Sequence, residues 1–311
     1  MKYFWDMRIA SNHVRSVSRF FRDELNGLYE PGEIEEFIFY SFAGILGYSR
    51  SELSLNAETT ITESELLKLN AIVKRLKKQE PIQYILQEAW FFGMKLKVSP
   101  AVLIPRPETE ELVEWILKNG NASRTKKAAS ERLKILDIGT GSGCIAIALK
   151  KQIAEAEVFA LDISTDALDM AKQNAELNSV LVNFIEADIL SKSGLAADLG
   201  RQDVNGFDLI VSNPPYVPES EKKSLRSNVL HFEPHRALFV ADDDPLLFYR
   251  KISEFAKAML RPGGSLFFEV NESKGTEIAD LLRLEGFSTV EVKKDINGKD
   301  RMIRAVKKHR I

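Results

Sequence analysis

The heptapeptide SNPPYVP at residues 212–218 follows the apolar run FDLIV and could hold a planar polar group. Its two successive prolines fix φ and remove two backbone N–H donors, so the segment presents carbonyl oxygens but few donors. The residue before each proline is pushed toward extended geometry, which keeps Asn213 out of a helix and directs its side chain from the strand end. The pattern indicates a rigid, acceptor-rich edge, although a stiff turn alone would also explain two prolines.

A glycine-rich segment, DIGTGSGC at residues 137–144, directly follows one apolar run and opens a helical pattern. Gly139, Gly141 and Gly143 permit a tight turn and close approach to the backbone, and the start of the helix offers free N–H groups. The spacing is G-x-G-x-G rather than the G-x-G-x-x-G that seats a pyrophosphate, which argues against a nicotinamide or flavin cofactor. A plain strand-to-helix connection is the alternative.

Three carboxylates are predicted at neighbouring strand ends. Asp162 could accept hydrogen bonds from both hydroxyls of a ribose. Its alternative role is to cap the following helix, although Ser164 is better placed for that. Asp188, in EADIL, would lie near the adenine end of a nucleoside or be simply solvated. Asp137 could orient the glycine loop or lie close to a cationic ligand, since burying it without a partner is costly. Cys144 is interpreted as a small apolar residue without a chemical role.

Alternating strand and helix patterns must position these residues. Strands are predicted at 133–138, 157–162, 182–187, 207–212 and 265–270, with helices around 143–153, 165–178, 245–260 and 274–285. This alternation predicts an α/β fold with a doubly wound, mostly parallel sheet whose ligand lies at the carboxyl ends of the strands. Two alternating runs around Asn297-Gly298, a two-residue hairpin signal, predict an antiparallel C-terminal hairpin.

The chain before this pattern is predicted to form two further parts. Residues 1–87 have helical periodicity, and in TESE a capping box is expected between Thr62 and Glu65. Residues 88–105, which include AWFFGMKLKVSPAVLIP, change period around a glycine and predict a β-hairpin connector. The remaining domain, residues 106–311, begins with a helix whose first turn contains Pro107.

Composition limits the classes of function. The chain has 311 residues, 44% of them hydrophobic, and its 43 Lys and Arg nearly balance 45 Asp and Glu, so no overall field would recruit nucleic acid or an anionic membrane. No apolar segment approaches the ~20 residues of a bilayer span, and the start does not resemble a secretory signal, so we expect a cytoplasmic protein. One cysteine and four scattered histidines give no metal-ligand spacing, and we expect no metal.

The motifs DIGTGSG, ALDIS, EADIL and SNPPY on successive strand ends resemble those of class I S-adenosylmethionine-dependent methyltransferases. The string LIPRPETEELVEW ahead of DIGTGSGCIAIAL is similar to the release-factor glutamine methyltransferase family, and the resemblance extends over almost the whole chain. NPPY alone is also found in methyltransferases that act on exocyclic amines of nucleic-acid bases. PRPETE separates the two groups.

The resemblance implies a class I methyltransferase fold, the cofactor S-adenosyl-L-methionine and the product S-adenosyl-L-homocysteine. Its implied activity is methylation of the side-chain nitrogen, N5, of the glutamine in the Gly-Gly-Gln loop of class 1 peptide-chain release factors. Residues 1–87 would recognise this protein substrate, and we expect a monomer without a membrane or nucleic-acid partner. The implied cofactor-binding residues are Gly139, Thr140, Gly141, Ser142, Gly143, Asp162, Ile163, Asp188, Ile189 and Asn213. The implied substrate-binding residues are Asn213, Pro214, Pro215 and Tyr216, of which Asn213, Pro214 and Tyr216 are also the expected catalytic residues.

The chemistry of an amide gives the NPPY motif a role. An amide nitrogen is a poor nucleophile, and methylation places positive charge on it, which hydrogen-bond acceptors would stabilise. The Asn213 side-chain oxygen and the Pro214 carbonyl could each accept one N–H of the substrate, while Tyr216 could stack on the amide face. Neither a general base nor a metal is required, because the nitrogen can lose its proton after the transfer.

Two other functions remain open from the sequence. A methyltransferase acting on adenine N6, cytosine N4 or guanine N2 should show a basic, aromatic-rich face, whereas PESEKKSLRSNVLHFEPHR mixes Glu219, Glu221 and Glu233 with its basic residues. A non-catalytic adaptor could bind a translation factor through residues 1–87. The intact glycine loop, Asp162 and NPPY argue against the adaptor.

Overall fold

The structure is a computed structural model that describes residues 9, 11–124, 132–191 and 206–308. His309, one of the four histidines considered above, lies outside these residues. The chain divides into two compact units. One comprises Met1–Glu88 together with Arg226–Phe232, and the other comprises Ala89–Leu225 together with Glu233–Ile311. None of the helices in the described ranges is long and apolar enough to cross a membrane.

The first unit is helical. Its buried apolar side chains form one shared cluster, in which Phe21, Phe42, Leu66 and Leu69 are fully buried. The predicted capping box is present, since the Thr62 backbone N–H donates to Glu65 Oε2 at 2.7 Å and the Glu65 N–H donates to Thr62 Oγ1 at 3.3 Å. The helices are α1 (Val14–Leu25), α2 (Pro31–Leu46), α3 (Arg50–Leu55), α4 (Glu63–Leu76) and α5 (Ile82–Leu86), and a short unnumbered helix spans Ser227–Phe232.

The predicted hairpin follows the helices. Strands β1 (Glu88–Phe91) and β2 (Met94–Lys97) form a two-stranded sheet. The two residues between them, Phe92 and Gly93, have φ of +49° and +70°. A two-residue hairpin turn of type I′ requires positive φ at both of these positions.

The second unit is built on a seven-stranded sheet in the order β10-β11-β9-β6-β3-β4-β5. Neighbouring pairs from β9 through β5 are parallel, whereas β11 pairs antiparallel with both β9 and β10. The predicted mostly parallel sheet with an antiparallel C-terminal hairpin is therefore confirmed. The strands are β3 (Lys134–Ile138), β4 (Glu157–Asp162), β5 (Asn183–Glu186), β6 (Phe207–Ser212), β9 (Leu260–Glu269), β10 (Ser288–Lys294) and β11 (Asp300–Val306), while β7 (Val217–Pro218) and β8 (Phe239–Val240) form a separate pair.

Helices cover both faces of this sheet. Alternate residues of a strand point to opposite faces, so Ile135, Leu209 and Phe267 join one buried cluster and Leu136, Ile210 and Phe268 join the other. The helices are α6 (Pro107–Arg124), α7 (Cys144–Gln152), α8 (Thr165–Leu177), α9 (His235–Leu238), α10 (Leu247–Met259) and α11 (Gly275–Leu284). Helix α6 begins at Pro107 as predicted, and α6 and α7 pack on the first cluster while α10 and α11 pack on the second.

Two features of the sheet differ from the prediction by more than a one-residue shift of a strand end. Strand β9 begins at Leu260 rather than at residue 265. Its RPGG segment forms a register irregularity between the pairs that Phe207 and Leu209 of β6 make, so the two strands are paired on both sides of this segment. The C-terminal hairpin lacks the two-residue turn expected at Asn297-Gly298. Its strands stop at Lys294 and Asp300, and Asp295 Oδ1 accepts the N–H groups of Asn297 and Lys299 at 2.9 and 3.0 Å.

The contact made by Gly143 generates a test of stability. Gly143 has φ +82°, and an added Cβ would lie 2.9 Å from Ile147 Cδ1 and 3.1 Å from Ala171 Cβ. Gly286 has a similar φ of +91° but nothing within 4 Å of an added Cβ. We expect Gly143→Ala to lower the free energy of unfolding by about 2–4 kcal/mol, from left-handed strain plus overpacking, and Gly286→Ala by about 1–2 kcal/mol from strain alone.

Urea unfolding of the two variants and the parent chain, followed by tryptophan fluorescence, measures both losses. Equal losses would show that α7 and α8 adjust freely around residue 143 and that packing is not what requires glycine there.

Candidate active site

The carboxyl ends of three parallel strands meet at one edge of the sheet. In the register of β3, Ile138 lies beside Leu161 of β4 and Ser212 of β6. A cavity of about 400 Å³ opens at this edge, a size typical of small-molecule sites. The predicted residues that line it are Gly139, Thr140, Gly141, Ser142, Asp162, Ile163, Asp188, Ile189, Asn213, Pro214 and Pro215.

Two predicted site residues are not among the described residues that line this cavity. Gly143 faces the interior, where it makes room for Ile147 and Ala171. The Tyr216 side chain is directed toward β9, and its hydroxyl lies 3.4 Å from Glu269 Oε1. Burial raises the pKa of Tyr216, with the charge of Glu269 acting in the same direction, so its hydroxyl stays protonated at neutral pH.

Asp162 holds the glycine loop through its carboxylate. The Gly141 N–H donates to Asp162 Oδ2 at 2.8 Å, and the Ser164 N–H donates to Oδ1 at 3.0 Å. Ser164 caps α8 as predicted, accepting from the Ala167 N–H at 3.2 Å. Each carboxylate oxygen can accept a second hydrogen bond. Asp162 can therefore fix the loop and still bind a pair of hydroxyl groups.

The loop backbone is open toward the cavity at two glycines. Gly139 and Gly141 have φ of +73° and +54°, and nothing lies within 4 Å of a Cβ built on either. The N–H groups of Gly139 and Thr140 both donate to the Leu161 carbonyl, at 2.8 and 3.0 Å, which holds the turn against the end of β4. These glycines are required by the backbone conformation, and they leave space for a ligand to approach.

Asp137 lies buried beneath the same loop. The Thr140 hydroxyl donates to its Oδ2 at 2.6 Å. Burial raises the pKa of Asp137 to about 7, an effect that the hydrogen bond from Thr140 opposes and the nearby charge of Asp162 reinforces. A cationic group bound above the loop would favour the charged form. Asp137 is not among the described residues that line the cavity, and in this structure it contacts the loop through Thr140.

Cys144 is the first residue of α7 and also borders the cavity. Burial raises the pKa of its thiol to about 12, with the nearby charge of Asp137 acting in the same direction. The raised pKa keeps the thiol protonated at neutral pH, and the absence of a chemical role for Cys144 stays a prediction. Within the described part of the chain, no group of three or more His, Cys, Asp or Glu side chains is arranged to hold a metal ion.

Several residues of the site were not predicted. The Asn213 Nδ2 donates to Thr109 Oγ1 at 3.3 Å, and the Thr109 hydroxyl donates to Glu269 Oε2 at 2.6 Å. Arg106 Nη2 donates to the buried Glu233 Oε1 at 2.5 Å. Arg106 and Thr109 stand in the PRPETE string, and Glu269 is an acid at the end of an apolar strand, so a signal for each was present in the sequence.

Many of the other residues that line the cavity are apolar. They lie in the segment that follows β2 and in α10, and they include Ala101, Val102, Leu103, Pro105, Phe248 and Ile252. The cavity therefore combines polar residues at the strand ends with apolar lining, as small-molecule sites commonly do.

Known proteins are similar in sequence to both units of this chain. Residues 24–86 match the model of the PrmC N-terminal domain, and residues 124–233 match that of the methyltransferase small domain. A release factor glutamine methyltransferase from Flavobacterium psychrophilum is 47% identical over 94% of this chain and 98% of that protein. The chain belongs to the release factor glutamine methyltransferase family. It is thus a methyltransferase.

Two further proteins can be compared with this chain. The protein of that name from Bacteroides thetaiotaomicron is 40% identical over 94% of this chain and 99% of its own. The crystal structure of a release factor-specific protein-(glutamine-N5) methyltransferase from Alicyclobacillus acidocaldarius is 27% identical, covering 68% of this chain and 99% of that one with a TM-score of 0.35.

The raised pKa of Asp137 generates a pH test on this member of the release factor glutamine methyltransferase family. Between the ordinary pKa of an aspartate and about 7, the folded protein holds a proton that the unfolded chain has lost, so stability falls as pH rises through this range. Asp137→Asn cannot titrate. We expect its free energy of unfolding, relative to that of the parent chain, to increase from pH 4 to pH 8 by up to about 4 kcal/mol.

Urea unfolding at a series of pH values without ligand measures this difference. The control is Asp169→Asn, which alters an exposed aspartate on α8, and the curve for Asp137→Asn is compared with the curve for this control. A flat curve for Asp137→Asn would show that Asp137 has an ordinary pKa in the folded protein.

Proposed function

We propose that this chain transfers a methyl group from S-adenosylmethionine to the side-chain amide nitrogen, N5, of the glutamine in the Gly-Gly-Gln loop of class 1 peptide-chain release factors. The observation that carries the proposal is that one cavity is lined both by the glycine loop with Asp162 and by Asn213, Pro214 and Pro215. Membership of the release factor glutamine methyltransferase family supports the choice of substrate.

The residues at the strand ends suit the cofactor. The open backbone at Gly139 and Gly141 can be approached by its methionine part, and Asp162 retains acceptor sites for the two ribose hydroxyls. Asp188 and Ile189 would flank adenine. When bound, S-adenosylmethionine supplies an electrophilic methyl group on a positively charged sulfur and leaves as S-adenosylhomocysteine.

The NPPY segment suits a planar NH₂ group. We infer that the Asn213 side-chain oxygen and the Pro214 carbonyl each accept one N–H of the substrate glutamine, which fixes the amide plane and directs the nitrogen lone pair toward the methyl group. Both acceptors also stabilise the positive charge that develops on nitrogen during the transfer. Such preorganised partners typically contribute about 3 kcal/mol each, and alignment of two reactants contributes ~7–11 kcal/mol.

The proton balance requires no catalytic base. The nitrogen gains one methyl group and gives up one proton, so the product amide is neutral. Among the described residues that line the cavity there is no histidine, and Asp162 is engaged with the glycine loop. We infer that the proton leaves to water after the new C–N bond has formed.

Substrate recognition is assigned to the helical first unit. Residues 24–86 of this unit match the PrmC N-terminal domain, and a protein substrate needs contacts beyond one glutamine. Tyr216 as the residue that stacks on the substrate amide stays a prediction, as do the monomeric state and the cytoplasmic location.

Transfer of radiolabelled methyl groups to purified class 1 release factor tests the activity. We expect label on the intact release factor and none when the glutamine of its Gly-Gly-Gln loop is replaced by alanine. Parallel assays should use single-stranded DNA, duplex DNA and RNA at 50 and 200 mM salt. Label on a nucleic acid with a steep salt dependence would favour the alternative amine methyltransferase, since phosphate contacts weaken sharply with salt.

Asn213→Ala tests the assigned acceptor. We expect kcat for release factor methylation to fall by about 100-fold, because one preorganised partner of the reacting nitrogen is lost. The Kd of S-adenosylhomocysteine, measured by calorimetry, should change by less than about threefold. The control is Asn178→Ala, which alters an asparagine that does not line the cavity and bonds to backbone carbonyls instead.

A similar loss of turnover and cofactor affinity would contradict the assignment, since it would show that Asn213 only supports the fold of the cavity.

A further inference from the structure

A buried chain of hydrogen bonds leads from β9 to the NPPY segment. Glu269 ends β9 and is 2% exposed, and Thr109, in the first turn of α6, is also 2% exposed. The Thr109 hydroxyl donates to Glu269 Oε2 at 2.6 Å, and Asn213 Nδ2 donates to Thr109 Oγ1 at 3.3 Å. Groups in such a chain constrain one another, because an unpaired polar atom would be costly at this depth.

The positions of the protons determine which group donates in each of these hydrogen bonds. A carboxylate has no proton, so the hydrogen between Thr109 and Glu269 must come from the threonine hydroxyl. That hydroxyl has one hydrogen, and it then offers Asn213 only lone pairs. Asn213 must present its NH₂ group to Thr109, because the reverse orientation would place two acceptors against each other. The carbonyl oxygen of the Asn213 amide is left on the other side.

We propose that Glu269 and Thr109 are positioning residues that set the amide orientation of Asn213, so that Oδ1 and not Nδ2 is presented to the substrate amide. Neither residue needs to touch the substrate or the cofactor. The inference rests on the proposed role of Asn213 and deepens it, since an asparagine turned the other way would offer a donor where the reaction requires an acceptor.

The same carboxylate also restrains the far end of the NPPY motif. The Tyr216 hydroxyl donates to Glu269 Oε1 at 3.4 Å, while Oε2 accepts from Thr109. Both oxygens of Glu269 therefore act as acceptors. This one carboxylate binds Tyr216 directly and is connected to Asn213 through Thr109. This arrangement links PRPETE, NPPY and the end of β9 into one hydrogen-bonded unit.

The protonation state of Glu269 determines which groups donate and which accept in this series of hydrogen bonds. Burial raises the pKa of this carboxyl, opposed by the Thr109 hydrogen bond and by the charge of Arg301. Among the described residues, the other titratable groups that interact electrostatically with it are Glu108, Tyr216, Tyr249 and Cys144. Protonated Glu269 could donate to Thr109, whose hydroxyl would then donate to Asn213 and favour the wrong orientation. We therefore expect kcat to fall as pH decreases through the raised pKa.

A double-mutant cycle tests the proposal. Thr109→Val keeps the shape of the side chain but removes the hydroxyl, and we expect kcat for release factor methylation to fall about tenfold. Thr109→Ser, which keeps the hydroxyl, should retain most of the parent kcat. In the Asn213→Ala background, Thr109→Val should have no further effect, because its action passes through Asn213. KM for the whole release factor should change by less than about threefold in the Thr109 variants, because the proposed contacts with the helical first unit, which a short peptide lacks, are not altered.

Binding supplies a second readout. The affinity for a glutamine peptide of the release factor loop, measured by calorimetry with S-adenosylhomocysteine present, should fall in Thr109→Val and recover in Thr109→Ser. The control Ser253→Ala also removes a hydroxyl from a buried residue, one that donates to the Arg250 carbonyl on α10, and it should leave kcat unchanged.

Independent, multiplicative losses from Thr109→Val and Asn213→Ala would overturn the inference, as would a Thr109→Ser variant as slow as Thr109→Val. If Asn213→Ala itself leaves kcat unchanged, the proposed role of Asn213 fails, and that failure is distinct from a failure of Thr109 to act through it.

If Thr109→Val does not fold, Glu269→Gln carries the test. This variant cannot ionise, so the acidic decline of kcat that Glu269 causes should disappear from its pH profile. An unchanged decline would overturn the inference.

Discussion

The pairing of β3 with parallel neighbours on both sides is the constraint on which the site depends. Parallel strands have their carboxyl ends at the same edge, so the registers of β4 and β6 on β3 bring Leu161, Ile138 and Ser212 side by side. The residues that follow each strand then face one cavity. The glycine loop, Asp162 and Asn213 are separated in sequence but share this edge because the sheet has one register, which two buried faces enforce.

The arrangement includes two buried carboxyl groups, which are energetically unfavourable to bury but which hold neighbouring groups by hydrogen bonds. Asp137 and Glu269 are both nearly inaccessible to water, and burial raises the pKa of each. Replacing either with an apolar residue would avoid the penalty of a buried carboxyl. However, an apolar residue could neither hold the glycine turn through Thr140 nor set the hydrogen bonds of Thr109 and Tyr216. These hydrogen bonds partly offset the free-energy penalty of burying the two carboxyl groups. The pKa of each group also depends on nearby charges.

Local sequence determined most of what could be predicted. Strand ends, the capping box at Thr62 and the helix start at Pro107 follow from periodicity and from residues a few positions apart, and all are found in the structure. Thr109 and Glu269 could not be paired in the same way, because 160 positions separate them and their hydrogen bond forms only once α6 packs on the sheet. Packing likewise explains Gly143, whose place beside Ala171 of α8 is a tertiary contact.

The acceptors of NPPY do not by themselves choose a substrate. In the proposed roles, an Asn213 oxygen and a Pro214 carbonyl would present the same geometry to a glutamine amide and to an exocyclic amine of a base, because both are planar NH₂ groups. Selection must come from what surrounds them. The apolar lining residues Leu103, Pro105 and Phe248 carry no charge for a phosphate. Among the described residues, the basic ones that line the cavity are Arg106, whose guanidinium is paired with Glu233, and Arg236. A nucleic-acid strand would find little electrostatic attraction there, whereas a neutral glutamine side chain meets no penalty.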